Sequence, residues 1–156
     1  MEHTIWKEEY RIGVKKLDDD HIAICGLLER LLKAIYDKEG KSAIVAIFSE
    51  LHAKLNEHFH YEKHYLLEAG YPKKERKEHI DGHLDVLYKL DHGFLNWEKS
   101  SESPAHSEEL SNLCRWVWIE LINADMEVKK KLEELEKQAR NDDTRERHRP
   151  RHEPSR

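Results

Sequence analysis

The segment from His58 to His83 reads His58-Phe59-His60-Tyr61-Glu62, then a turn at Gly70-Tyr71-Pro72, then His79-Ile80-Asp81-Gly82-His83. In a helix, residues four apart stand one above the other. His58 with Glu62, and His79 with His83, therefore each form a two-pronged clamp. Two clamps on successive antiparallel helices can grip metal between them. Imidazole nitrogens with a carboxylate suit zinc, copper, nickel or iron, and a carboxylate able to bridge favours a two-metal site. The rest of the chain must supply the remaining ligands.

The elements that would position these side chains follow from apolar spacing. Residues 1–17 form an irregular arm whose Trp6, Tyr10, Ile12, Val14 and Leu17 suit packing across a domain. Asp18 reads as a helix N-cap, with Asp19 and Asp20 in the first turn, where the helix dipole favours negative charge. The first helix is expected over about 19–38, stopping at Gly40. Its inner stripe is His21, Cys25, Leu28, Leu32 and Ile35. Ser42 can cap a second helix with the stripe Ile44, Phe48, Leu51, Leu55, His58, Glu62 and Tyr65. Two polar residues fall on the line drawn by the apolar ones, and burying them costs several kcal/mol unless they are paired or ligate a metal.

Gly70 ends the second helix, and Pro72 suits the first turn of a third. That helix repeats the design with His79, His83, Val86, Leu90, Phe94 and Trp97. Lys99 to His106 is a polar loop, after which Ser107 can cap a fourth helix reaching about Lys137. This helix turns Leu110, Cys114, Val117, Leu121, Ala124, Val128, Leu132 and Leu135 inward, with Asp125 beside that stripe. A bundle domain over 1–138 and a charged, disordered tail over 139–156 are expected, because the tail has no apolar residue after Ala139 and carries Pro150 and Pro154.

Composition agrees with an all-α chain. In 156 residues there are only six Gly and four Pro, 38% are charged, and the mean hydropathy is −0.92. This is the profile of long helices with salt-laced outer faces. The formal net charge of −5 argues against nucleic acid as a partner. No apolar run reaches membrane-spanning length and the N-terminus has no apolar signal core, so a cytoplasmic protein is expected. Two cysteines, Cys25 and Cys114, are too few for a disulfide framework and read as buried thiols. A monomer is compatible with the site.

Four amphipathic helices with short connections imply an up-down-up-down antiparallel bundle, an architecture that hosts metal sites between facing helices. His21 lies near the start of the first helix, His58 and Glu62 late in the second, His79 and His83 early in the third, and Asp125 past the middle of the fourth. With alternating directions all of them reach the same end. A single core histidine is usually structural; the convergent set points to metal. His60 and His64 lie about 200° and 240° around the helix from His58 and read as surface imidazoles. Cys25 reads as pocket lining.

At this point the residues resemble a known family. Trp6, Tyr10, Ile12-Gly13, Asp18 three before His21, His58-Phe59 with Glu62, Tyr71-Pro72, His79, His83, and Trp116 with Asp125 are similar to hemerythrin, particularly single-domain bacteriohemerythrins, over roughly residues 6–130. Myohemerythrin is itself a known example of this bundle. The resemblance implies a non-haem di-iron centre that binds dioxygen. One iron would take His21 and His58, the other His79 and His83, with Glu62 and Asp125 bridging.

The chain departs from that pattern where the family places a fifth histidine, five residues before the bridging aspartate; here Glu120 stands there. Ligation by Glu120 is the expectation, against the plainer readings of a solvated charge or an outer contact. Five positions span about 140° of an ideal helix, so ligation needs inward-leaning side chains or a π-bulge. An anionic oxygen donor favours ferric iron and would shift the site toward a di-iron oxidase or peroxidase acting on peroxide or ferrous iron. A ferritin-like iron store is set aside, since only Glu57 to His60 has the Glu-x-x-His spacing.

Overall fold

The computed structural model describes residues 5–100 and 104–149. Four helices, α1 (Lys15–Tyr36), α2 (Lys41–Glu68), α3 (Lys73–Lys99) and α4 (Pro104–Arg147), follow a one-turn 3-10 helix at Glu8–Tyr10. Each packs on the next in sequence and α1 closes against α4, giving the expected antiparallel four-helix bundle. Among the described residues there is no strand, and no helix is long and apolar enough to cross a membrane.

The helix ends differ in detail from their sequence signals. α1 begins at Lys15 with Val14 as its N-cap, four residues before the expected cap at Asp18. Asp18 instead turns its buried carboxylate back to accept the N–H groups of Ile12 at 2.7 Å and Gly13 at 3.1 Å. α1 stops at Tyr36 because Lys38 takes the left-handed conformation, φ +55°, usually left to glycine. Gly40 is thereby freed to become the N-cap of α2, and Ser42, expected there, lies inside the first turn. Gly70, φ +72°, ends α2 as expected, with the N–H of Tyr71 donating to the carbonyl of Leu66 at 3.0 Å. Pro72 is the N-cap of α3, and α4 starts at Pro104, ahead of Ser107.

The fourth helix runs on to Arg147, past the expected end near Lys137 and into the first part of the expected tail. Spaced pairs support this stretch: Glu136 with Arg140 and Asp143 with Arg147 stand four apart, acid first. Residues 150–156 of the expected tail, and 101–103 of the expected loop, lie outside the described residues.

Two apolar clusters of unequal size fill the bundle. The larger joins Ile24, Leu28, Leu51, Leu55, Val86, Leu90, Leu110, Val117 and their neighbours from all four helices. A smaller one, Leu66, Tyr71 and Val128, closes the end where α2 turns into α3. Gly93 lets α3 and α4 approach closely, since a Cβ there would meet the Leu113 side chain at 2.4 Å. The N-terminal arm packs as its aromatics suggested: Trp6, Tyr10 and Trp118 form an edge-to-face triad with centroids 5.9 to 6.4 Å apart.

The arm depends on the Asp18 carboxylate, which satisfies two N–H groups at the point where the chain enters α1. Asp18→Ala should cost about 1–3 kcal/mol, the penalty for stranding buried donors. Chemical denaturation measures this, and an unchanged midpoint would show that the two bonds contribute nothing net.

Candidate metal centre

Between the two apolar clusters lies a layer of ionisable side chains. His21, His58, Glu62 and Asp125 are wholly buried, and the side chains of His79 and His83 keep only 7% and 6% of their surface. Each comes from a different stretch of the bundle: His21 from α1, His58 and Glu62 from one face of α2, His79 and His83 from one face of α3, Asp125 from α4. The core stripe of each helix carries its polar member to this depth, as the four-residue spacings predicted.

The distances make two overlapping groups of donors. His21, His58 and Asp125 form one; Glu62, His79, His83 and Asp125 form the other, with all donor atoms of each group within 4.8 Å of one another. His21 Nε2 lies 3.0 Å from His58 Nε2 and 2.5 Å from Asp125 Oδ2. Glu62 sets Oε1 3.2 Å from His79 Nε2, and Oε2 3.2 Å from His83 Nε2 and 3.7 Å from His58 Nε2. Asp125 reaches the other way too, its Oδ1 3.6 Å from His79 Nε2. Both carboxylates thus span from one histidine pair to the other.

These donors fit a metal ion better than they fit each other. Both oxygens of Glu62, both of Asp125, and Nε2 of His79 and His83 are buried with no well-aligned hydrogen-bond partner among the described residues. Each such atom would cost about 1–3 kcal/mol if left unsatisfied. Two imidazole nitrogens 3.0 Å apart have the separation of neighbouring ligands at right angles on one ion with bonds of about 2.1 Å.

Charge sharing within the layer is visible in the proton affinities. Burial acts to raise the Asp125 carboxyl, but His21 and His58 beside it outweigh this and hold it well below the usual carboxylate range. Glu62 is likewise lowered: burial and the Asp125 charge push it up, while His79 and His83 pull it down further. Burial disfavours charge on His21 and His79, yet Asp125 and Glu62 respectively hold both above the ordinary imidazole value. For His83 burial wins over Glu62, and its affinity for a proton is lowered.

Two further residues support the layer in ways that spacing along one helix does not reveal. The Phe59 ring stacks on His83 at 3.9 Å and 12°, bracing that imidazole against rotation. Asp20, read from sequence only as a first-turn acid, is 1% exposed and faces the His58 ring. Lys54, which anchors it from α2, has no sequence relation to it that a periodicity reveals.

Glu120 does not join the site. It is exposed and absent from both donor groups. α4 is regular α-helix throughout with no π-bulge, so the roughly 140° between positions 120 and 125 carries one side chain out when the other points in. His60 and His64 are exposed on the outer face of α2, edge to face with each other. Burial raises the thiols of Cys25 and Cys114 to about 12, which leaves both as inert packing groups.

A family model, that of the Hemerythrin HHE cation binding domain, matches residues 12–102, more than half of the chain. No curated protein and no solved structure matches it. The matched stretch contains His21, His58, Glu62, His79 and His83. Asp125 lies beyond it, so its place rests on the geometry above.

Substitution should separate the layer from the surface. His79→Ala and Glu62→Ala are expected to lose bound metal, whereas His60→Ala, His64→Ala and Glu120→Ala should retain it; metal content by elemental analysis decides, and equal loss from His60→Ala would contradict the assignment. Loading should also depend on pH. His21 and His79 are held above 6.5 in the metal-free chain, so each must release a proton before its Nε2 can bind. Metal affinity should therefore already be falling as pH drops toward about 6.5, and reach its plateau only above the raised values of these two imidazoles. Affinity that is flat from about pH 6 to 8 would contradict this proton competition.

Proposed function

Because the chain belongs to the Hemerythrin HHE cation binding domain family and is thus a metal-binding helical protein, we propose that its buried layer holds two iron ions and binds dioxygen. The observation that carries this reading is the pair of carboxylates, Glu62 and Asp125, each reaching both histidine pairs. A single ion would need only one pair; two carboxylates spanning both suit two ions that share them. His21 and His58 would hold one, His79 and His83 the other. Bound iron supplies the one-electron chemistry that dioxygen needs and that no side chain in the layer offers.

The chain's own part is to position and to shelter. Leu55, Phe59, Val86 and Leu121 lie on one side of the layer, and Leu66, Tyr71 and Val128 on the other. Apolar walls favour a small uncharged molecule over hydrated ions, whose desolvation costs far more. The little exposure that remains is at His79 and His83, which makes that flank the approach. An oxidase or peroxidase reading drew on Glu120 as a ligand, and its exposure takes that ground away.

Anaerobic loading with ferrous iron, followed by optical titration with dioxygen, tests the proposal. About two irons per chain should bind, and the spectral change on adding dioxygen should reverse when the gas is removed. A single metal per chain would refute the paired centre. Irreversible oxidation with turnover of peroxide would replace dioxygen binding with enzyme chemistry.

A further inference from the structure

Asp20 is a buried anion that two lysines satisfy on one side only. Its Oδ1 accepts from Lys16 Nζ at 2.7 Å and from Lys54 Nζ at 2.7 Å. Its Oδ2 is buried without a hydrogen-bond partner, and so is His58 Nδ1. These two atoms face each other at 3.6 Å, too close for a water to stand between them and slightly too far for a full hydrogen bond. They are complementary, because a neutral imidazole that offers Nε2 to a metal carries its hydrogen on Nδ1.

We propose that Asp20 is a positioning residue for His58, accepting its Nδ1 hydrogen and so fixing the ring with Nε2 turned into the metal layer. The inference rests on the metal-centre reading. A carboxylate behind a ligating imidazole fixes the ring's orientation and raises its basicity as a donor. The lysines give the arrangement its stiffness: Lys16 belongs to α1 with Asp20, Lys54 to α2 with His58, so the ammonium groups tie the carboxylate to both helices. Glu57 adds a second anion, 2.9 Å from Lys16 Nζ. Both lysines reach solvent, with 39% and 22% of their side chains exposed. A neutral side chain at position 20 would therefore not strand them as buried charges.

Zinc serves as a diamagnetic probe beside ferrous iron. In zinc-loaded wild-type protein the His58 Nδ1 hydrogen should resonate far downfield and exchange slowly with solvent. Asp20→Ala should move that resonance upfield and weaken affinity for zinc and ferrous iron by about 10- to 100-fold in chelator competition. Asp20→Asn, which keeps an acceptor oxygen, should restore the downfield resonance and part of the affinity. A role confined to pairing the lysines would change melting temperature and leave the His58 resonance in place, which overturns the inference. So does an Asp20→Ala variant that binds metal as tightly as the wild type. Failure of the wild type itself to take up either metal would overturn the metal-centre reading, and this inference with it.

Discussion

The cost of placing charge in an apolar interior governs this molecule. Glu62 and Asp125 are both wholly buried, and several kcal/mol stand against each ion unless opposite charge or a metal compensates. Four imidazoles at 2.5 to 3.8 Å supply that compensation in the bare protein. The compensation is partial, since the contacts are poorly aligned as hydrogen bonds and leave both carboxylates orphaned. The layer is therefore built for something that satisfies all its lone pairs at once. The large apolar cluster on one side and the small one on the other exist in this arrangement to keep water from doing so.

Around that layer the bundle adds rigid supports, each of which answers a problem set by burial. Phe59 lies flat on His83. Asp18 draws the N-terminal strand of chain onto the head of α1, and the arm in turn lays Trp6 and Tyr10 over Trp118 of α4. This clasp joins the first and last helices, which hold His21 and Asp125. The closest ionic contact in the layer, between those two residues, depends on the same pairing of helices.

Much of this is written in spacing. Apolar residues three and four apart predict the helices, and polar residues that fall on the same lines, His21, His58, Glu62, His79, His83 and Asp125, predict the contents of the layer. Spacing along one helix cannot show what stands across from it, which is why Asp20 reads as a dipole residue until Lys54 is seen against it. Glu120 illustrates the reverse error: a position taken from family likeness outweighed the helical angle, and the angle prevailed in the fold. The extent of α4 is less legible in composition than in spacing. Pro150 and the dense charge beyond residue 139 point to a tail, while the sign and spacing of Glu136, Arg140, Asp143 and Arg147 support helix as far as Arg147.

The order of the ligands along the chain has its own consequence. During synthesis the N-terminal part of a chain is made first, so both histidine pairs and Glu62 leave the ribosome well before Asp125. The hairpin of α2 and α3 is a local structure, whose ends meet through a short loop at small entropic cost. The contact between His21 and Asp125 spans nearly the whole bundle and forms only when α4 closes against α1. Until that closure the nascent chain holds both histidine pairs and one carboxylate, Glu62, and the second carboxylate, Asp125, arrives with the last helix. The full set of donors is thereby assembled only on completion of the fold, which makes the finished bundle, and not its early hairpin, the species suited to hold metal.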